Sequence, residues 1–182
     1  MPEHNEPRPR MGILEDMTMD DVRDFRPEVV VLPVGSTEPH GYHLPYCTDT
    51  LRVRTTCEEA TMRANERGAR VLCYPALPVG LNVNFTSFPF ALGMKVATYM
   101  QMLTDLCEQI EGQGVRIVEA DLLEESVYDS LPETPNVFFL AGMKFGASGN
   151  QPLTWAMNTY VPTLVAQRYR RSRIVALSTG NV

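Results

Sequence analysis

The stretch Val29-Val-Val-Leu-Pro-Val-Gly-Ser-Thr-Glu-Pro-His-Gly-Tyr-His-Leu-Pro-Tyr-Cys-Thr-Asp49 changes character at its fifth residue. Val29 to Leu32 is a continuous apolar, mostly β-branched run, the pattern of a strand covered on both faces. The residues from Pro33 onward leave the carboxyl end of that strand, where an open α/β sheet keeps its chemistry. In an extended loop Glu38 and His40 lie two residues apart and project to one side. Asp49 opens the next helical segment, whose N-terminus favours a negative charge. Gly35 and Gly41 permit the tight backbone that brings these groups together. Taken singly, Glu38 reads as a surface acid, His40 and His43 as loop histidines bonded to backbone, and Asp49 as a helix N-cap. As a set, Glu38, His40 and Asp49 offer oxygen and nitrogen ligands of the kind that hold Zn²⁺ or Mn²⁺. The segment reads as half of a metal site.

Outward from this segment, helix-like and strand-like periods alternate. Residues 50–67 follow helical spacing, with Val53, Cys57, Ala60 and Ala64 on one stripe and Gly68 as the stop. Residues 70–74 form a second short strand, and the Pro-, Gly- and Asn-containing residues 75–89 a long loop. Residues 95–111 are the next amphipathic helix, with Tyr99, Leu103, Leu106 and Ile110 on its apolar side. A third strand is expected at 115–120, a short acidic helix at 124–130, a strand at 136–140 and a last strand at 173–177. The long helix at 152–171 carries Pro162, which should kink or restart it. Trp155 on that helix is expected to anchor the core. The alternation predicts an α/β domain, a three-layer αβα arrangement with a largely parallel sheet of about five strands.

Composition bounds the rest. A chain of 182 residues with 44% apolar content suffices for one ordinary core. The net charge of −6 comes without a basic stripe, so no nucleic-acid or membrane partner is expected, and a small-molecule substrate remains. Four widely spaced cysteines, Cys47, Cys57, Cys73 and Cys107, form no Cys-x-x-Cys pair and read as reduced, mostly buried thiols. Residues 1–10 lack an apolar core and read as a loose tail, and no run is long enough to span a membrane, so a cytoplasmic location is expected.

The segment Leu32-Pro-Val-Gly-Ser-Thr-Glu-Pro-His-Gly-Tyr-His-Leu-Pro with Thr48-Asp49 resembles the signature of the creatininase (creatinine amidohydrolase) family. The resemblance continues through Gly80-Leu-Asn-Val-Asn and Ser87-Phe-Pro and covers roughly residues 10–118. It implies a three-layer α/β hydrolase with a two-metal centre that opens cyclic or linear amides, usually as a homo-oligomer. By the same resemblance Glu38, His40 and Asp49 would be ligands, Asp49 bridging, with His43 as nearby support. In that family the strand after the second long helix enters an Asn-Gly-His-Gly-Gly-Asn-like loop, whose His completes the metal shell with a later Glu. Here the corresponding residues read Val115-Arg-Ile-Val-Glu-Ala-Asp-Leu-Leu-Glu, and the chain has only three histidines, His4, His40 and His43. Asp121, Glu124 and Glu125 read as a solvated acidic face rather than as replacement ligands.

Residues 115–182 resemble instead an internal piece of an NAD-dependent epimerase/dehydratase, through Arg116-Ile-Val-Glu-Ala-Asp, Asn136-Val-Phe-Phe-Leu-Ala-Gly and Arg173-Ile-Val-Ala-Leu-Ser-Thr-Gly. By that resemblance Asp121 would lie near an adenine, Ala141 and Gly142 near ribose and phosphates, and Ser178 or Thr179 in the catalytic Ser/Thr region. The family's phosphate loop and Tyr-x-x-x-Lys pair are absent from the sequence, so NAD binding is not expected. Gly142, Gly146 and Gly149 imitate a dinucleotide fingerprint but are spaced too loosely for one. The expectation is a single composite domain over 11–182, creatininase-like to about residue 114 and epimerase-like beyond it. It would be an amidohydrolase by descent with an incomplete metal site and impaired activity, or else a nucleotide-binding remnant or a non-catalytic hybrid.

Overall fold

A computed structural model describes residues 10–82, 85–143 and 149–176. They fall in two compact units, residues 1–117 and 118–182.

The first unit contains α1 (Met19–Phe25), β1 (Val29–Val31), α2 (Thr48–Asn65), β2 (Val71–Cys73) and α3 (Val96–Glu111). Thr18 and Asp21 close a reciprocal capping box at the start of α1, satisfying backbone donors that a helix end leaves free. The strands β1 and β2 pair in parallel, Val29 opposite Val71 and Val31 opposite Cys73, with α2 between them in the chain. Ile13 forms a further parallel bridge to Cys73, so β2 is flanked on both sides. Asn65 at the end of α2 fixes the entry to β2, its Oδ1 accepting from Val71 N at 2.8 Å and its Nδ2 donating to Val71 O at 3.0 Å. The core gathers here, on Ile13, Leu72, Cys73 and the α2 residue Thr61. The α2 stripe therefore runs through Thr61 rather than Ala60, which is exposed. On α3 the expected stripe holds, with Tyr99 and Ile110 buried and Leu103 and Leu106 half-buried.

All four cysteines are free, with Cys73 buried, Cys57 and Cys107 half-buried, and Cys47 exposed, contrary to an expectation of mostly buried thiols. Burial pushes the Cys73 thiol up to about 11.

Charge is concentrated on one side of α2. Arg10 pairs with Asp16 at 2.5 Å and with Glu58 at 2.6 Å, while Arg54 pairs with Glu58 at 2.8 Å and also with Glu15. Burial pushes the Glu58 carboxyl up, but hydrogen bonds from Arg54 and Arg10 outweigh it and hold the group below its ordinary range. The Arg10 hydrogen bond lowers Asp16 in the same sense. A carboxyl depressed on folding adds stability above its unfolded pKa and loses that contribution as pH falls through the folded value. The first unit is accordingly expected to lose thermal stability as pH drops below about 4, the ordinary carboxylate range. Glu58→Gln should flatten this part of the profile in thermal melts from pH 7 to 3; an unchanged acid limb would refute the assignment.

The second unit contains α4 (Val127–Ser130), β3 (Asn136–Phe139), α5 (Gln151–Trp155), α6 (Val161–Arg168) and β4 (Arg173–Ala176). The strands β3 and β4 pair in parallel, Phe138 opposite Val175. Tyr128, Val161 and Val165 form the core, with Leu131, Val137 and Phe139 packed against it. Arg168 ties α6 to α4 and its C-cap, donating to Tyr128 O at 2.7 Å and Leu131 O at 2.6 Å. A π-helical turn at Ala156–Tyr160 separates α5 from α6, and Pro162 lies in the first turn of α6, directly after the wider turn that interrupts the α-helical ladder and accommodates its missing N–H. The expected long helix is thus restarted near its proline. Trp155 is 60% exposed and anchors no core; Thr154 beside it is the buried residue of α5.

The α/β character stands, but among the described residues the strands form two sheets of two strands each rather than one sheet of five. The expected strand at 115–120 is irregular, because strand identity requires a neighbour's ladder and none of the described residues pairs with it. The acidic helix shortens to Val127–Ser130, since Glu124 and Asp121 form a local turn, Glu124 N donating to Asp121 O at 3.0 Å.

Candidate metal centre

The loop between β1 and α2 folds back through successive local pairings. Gly35 N donates to Leu77 O at 2.8 Å and Glu38 N to Tyr46 O at 3.1 Å, while His40 and Leu44 form an antiparallel bridge around Gly41, at φ 69°. Gly35 packs against the first turn of α2, where a Cβ would lie 2.5 Å from Thr50 Oγ1 and 2.6 Å from Thr50 Cα. Only a glycine admits this approach, and it sets the loop against the helix turn that carries Asp49. Thr50 Oγ1 fastens it by donating to Ser36 O at 2.9 Å.

As a result Glu38, His40 and Asp49 each present one ligand atom within 4.8 Å of the others, all three residues half-buried. Among the described residues this is the one such group. His40 Nδ1 lies 3.0 Å from Glu38 O, a carbonyl that can only accept, so the ring is held with Nδ1 toward that carbonyl and Nε2 toward Asp49. That Nε2 is 3.3 Å from Asp49 Oδ2. Two ligands of one tetrahedral ion with bonds of about 2.1 Å stand about 3.4 Å apart, so the pair fits a shared divalent cation. Glu38 Oε2 accepts from Ser36 Oγ at 2.9 Å, leaving its other oxygen available. The donor set and the histidine's orientation both suit a divalent metal. His43 is exposed and stands outside the group.

Sequence reasoning missed Ser36 and Asn82. Asn82 Oδ1 is 2.6 Å from Ser36 Oγ across 46 residues of chain, and Asn82 Nδ2 donates to Leu92 O at 2.6 Å and Thr37 O at 3.3 Å. Its only signal was the Gly80-Leu-Asn punctuation of a loop placed at the same sheet edge.

The residues tied to a nucleotide reading do not converge in this way. Asp121 Oδ1 accepts from Leu123 N at 3.0 Å in a local turn. Gly142 lies beside Asn158, whose side chain holds the Met143 backbone at 2.8 and 2.6 Å, and Ala141 is half-buried. Ser178, Thr179, Gly146 and His4 lie outside the described residues, as does most of the expected tail; Arg10, its last residue, is held by its ion pairs with Asp16 and Glu58. Among the described residues no helix is long and apolar enough to cross a membrane.

The chain is similar in fold to solved creatininases. A protein named as a creatinine amidohydrolase from Bacteroides fragilis is 24% identical with a TM-score of 0.54, the alignment covering 93% of this chain and 56% of that one. A tryptophan-to-alanine mutant creatininase is 18% identical with a TM-score of 0.51, covering 92% and 58%. A creatininase (creatinine amidohydrolase) is 19% identical with a TM-score of 0.50, covering 92% and 57%. The chain thus spans less than three-fifths of the length of each of these structures. No curated protein matches it. Nothing in these matches supports an epimerase assignment for residues 115–182. Residues 15–118, more than half of the chain and all of the Glu38, His40 and Asp49 loop, match the family described as Creatininase: creatinine amidohydrolase; the chain belongs to the creatininase family.

Proposed function

We propose that the chain is a metal-dependent amidohydrolase of the creatininase type in which Glu38, His40 and Asp49 hold a divalent cation, Zn²⁺ or Mn²⁺, and in which turnover on a cyclic or linear amide is impaired. The observation that carries this reading is the convergence of the three ligand atoms within 4.8 Å at the carboxyl end of β1. A bound divalent ion supplies a Lewis acid that polarises an amide carbonyl and acidifies water. The chain's own part is orientation. The Glu38 carbonyl holds the His40 ring with Nε2 toward Asp49, and Asp49 sits in the first turn of α2, where the helix favours its charge. Three ligands from one loop and the helix turn that follows it make an open site, and a two-ion centre of the kind the family resemblance implies needs more than these. Weak metal binding and slow hydrolysis result from that shortfall. Placement of Asp121, Ala141 and Gly142 favours no nucleotide-binding alternative, and none is proposed.

Titration of the purified chain with Zn²⁺ and with Mn²⁺, alongside hydrolysis of creatinine and of simple linear amides, tests the reading. Saturable binding with slow, chelator-sensitive amide hydrolysis is expected. Absence of saturable binding of both ions would overturn it.

A further inference from the structure

We infer that Asn82 is a positioning residue for the metal ligand Glu38, acting through the hydroxyl of Ser36; the inference rests on the proposed metal site. Ser36 is 8% exposed, and its Oγ stands 2.9 Å from Glu38 Oε2 and 2.6 Å from Asn82 Oδ1. A serine hydroxyl carries one proton, so it cannot donate to both oxygens at once. Turning the Asn82 amide over would offer its nitrogen to Ser36, but would point its oxygen at the carbonyls of Leu92 and Thr37, which need a donor. The amide is therefore fixed, with nitrogen to the two carbonyls and oxygen to the serine. With the site free the hydroxyl donates to Glu38, the charged and stronger acceptor, and holds the carboxylate in place. Asn82 Oδ1 is the second acceptor for that proton, so the half-enclosed hydroxyl keeps a partner when a cation takes up the lone pairs of Glu38.

The backbone supports the same conclusion. Asn82 sits at φ 37°, a left-handed conformation that asparagine adopts more readily than other non-glycine residues and that turns its side chain's loop back toward the first. Its surroundings are the Gly80–Gly93 and Thr37–Leu92 bridges, which bring the second loop against the first. Leu92 N donates to Thr37 O at 3.0 Å, so Thr37 O receives both a backbone and a side-chain donor from the far loop. Asn82 and the Leu92–Gly93 segment are thereby coupled to the ligand loop through hydrogen bonds.

Divalent-ion affinity of the full chain, measured by Zn²⁺ and Mn²⁺ titration on a double-mutant cycle, tests this. Ser36→Ala and Asn82→Ala are each expected to weaken binding by about tenfold, the usual scale for groups that orient a ligand. Acting along one path, the two changes should not add, so the double variant should bind about as the Ser36→Ala variant does. Ser36→Thr, which keeps the hydroxyl, should recover most of the affinity. Thermal melts of the same variants separate a loss of fold from a loss of positioning. If the effects multiply to about a hundredfold in the double variant, Asn82 acts only as a loop clamp and the inference fails while the metal reading stands. If the unmodified chain shows no saturable binding, the metal reading fails and takes this inference with it.

Discussion

Asp49→Ala is expected to abolish saturable Zn²⁺ and Mn²⁺ binding. The substitution removes one of three ligands and a negative charge from a site with no other described carboxylate in the group besides Glu38. Groups that only orient a ligand cost about 10- to 100-fold in affinity when removed, so loss of the ligand itself should exceed about 100-fold. The fold should tolerate the change. Asp49 has no hydrogen bond to the N-terminus of α2, whose cap residue Cys47 supplies none either, and its contribution to the helix is the charge–dipole term of about 0.3–1 kcal/mol. Asp49→Asn separates charge from shape, keeping the side-chain outline and a weak oxygen ligand; its affinity should lie between those of the alanine variant and the unmodified chain. Metal content measured after dialysis gives the answer directly. Equal stoichiometry in the alanine variant would remove Asp49 from the site.

Ile13→Ala should be the most damaging of the single substitutions considered for the first unit. Ile13 is 1% exposed and pairs with Cys73, itself 1% exposed, on the side of β2 away from β1. Truncation removes three carbons from a place that backbone hydrogen bonds prevent from collapsing, including Cys73 N to Gly12 O at 2.7 Å. Such deletions cost about 2–5 kcal/mol. For a unit of this size the corresponding fall in Tm is more than about 10 °C. Met19→Ala provides the contrast, since Met19 is 83% exposed and its loss should fall within about 0.5 kcal/mol. Calorimetry of the two variants should separate them clearly, and equal melting would show that Ile13 is not a core residue of this unit.

What the sequence made legible was local. The bounds of α2 and α3 followed from periodicity and glycine stops to within two residues at each end, because a helix is specified by its own spacing. Glu38, His40 and Asp49 could be grouped because only ten residues separate the first from the last, and Pro39, Gly41 and Pro45 between them favour a reversal. Non-local pairing was not legible. Val115 and Ile117 alternate as a strand would, yet alternation says nothing of a partner, and the segment stays outside both sheets. Ile13, in a short apolar patch beside the tail, gave no periodic signal, although its bridge to Cys73 makes it central. The α2 stripe was drawn through Ala60 on apolarity, whereas the buried position belongs to Thr61, whose methyl group fits where its hydroxyl finds no hydrogen-bond partner. Asn82 joins the site through a contact made across 46 residues, which no motif announced.

The sheet of the second unit has a practical consequence. Every residue of β4 is exposed, and Phe138, paired with Val175 on the sheet, is itself 73% exposed beside Leu140 at 66%. Among the described residues only two strands share this burden, and a two-stranded sheet is by itself marginal in water. An exposed, apolar strand that pairs on one side only, as β4 does among the described residues, is a template for further strands, and β4 has neither proline nor more than one charge, Arg173, to discourage them. Solubility of the chain should therefore depend on the Phe138 and Val175 surface, and a charge placed at Phe138 should raise the concentration it tolerates.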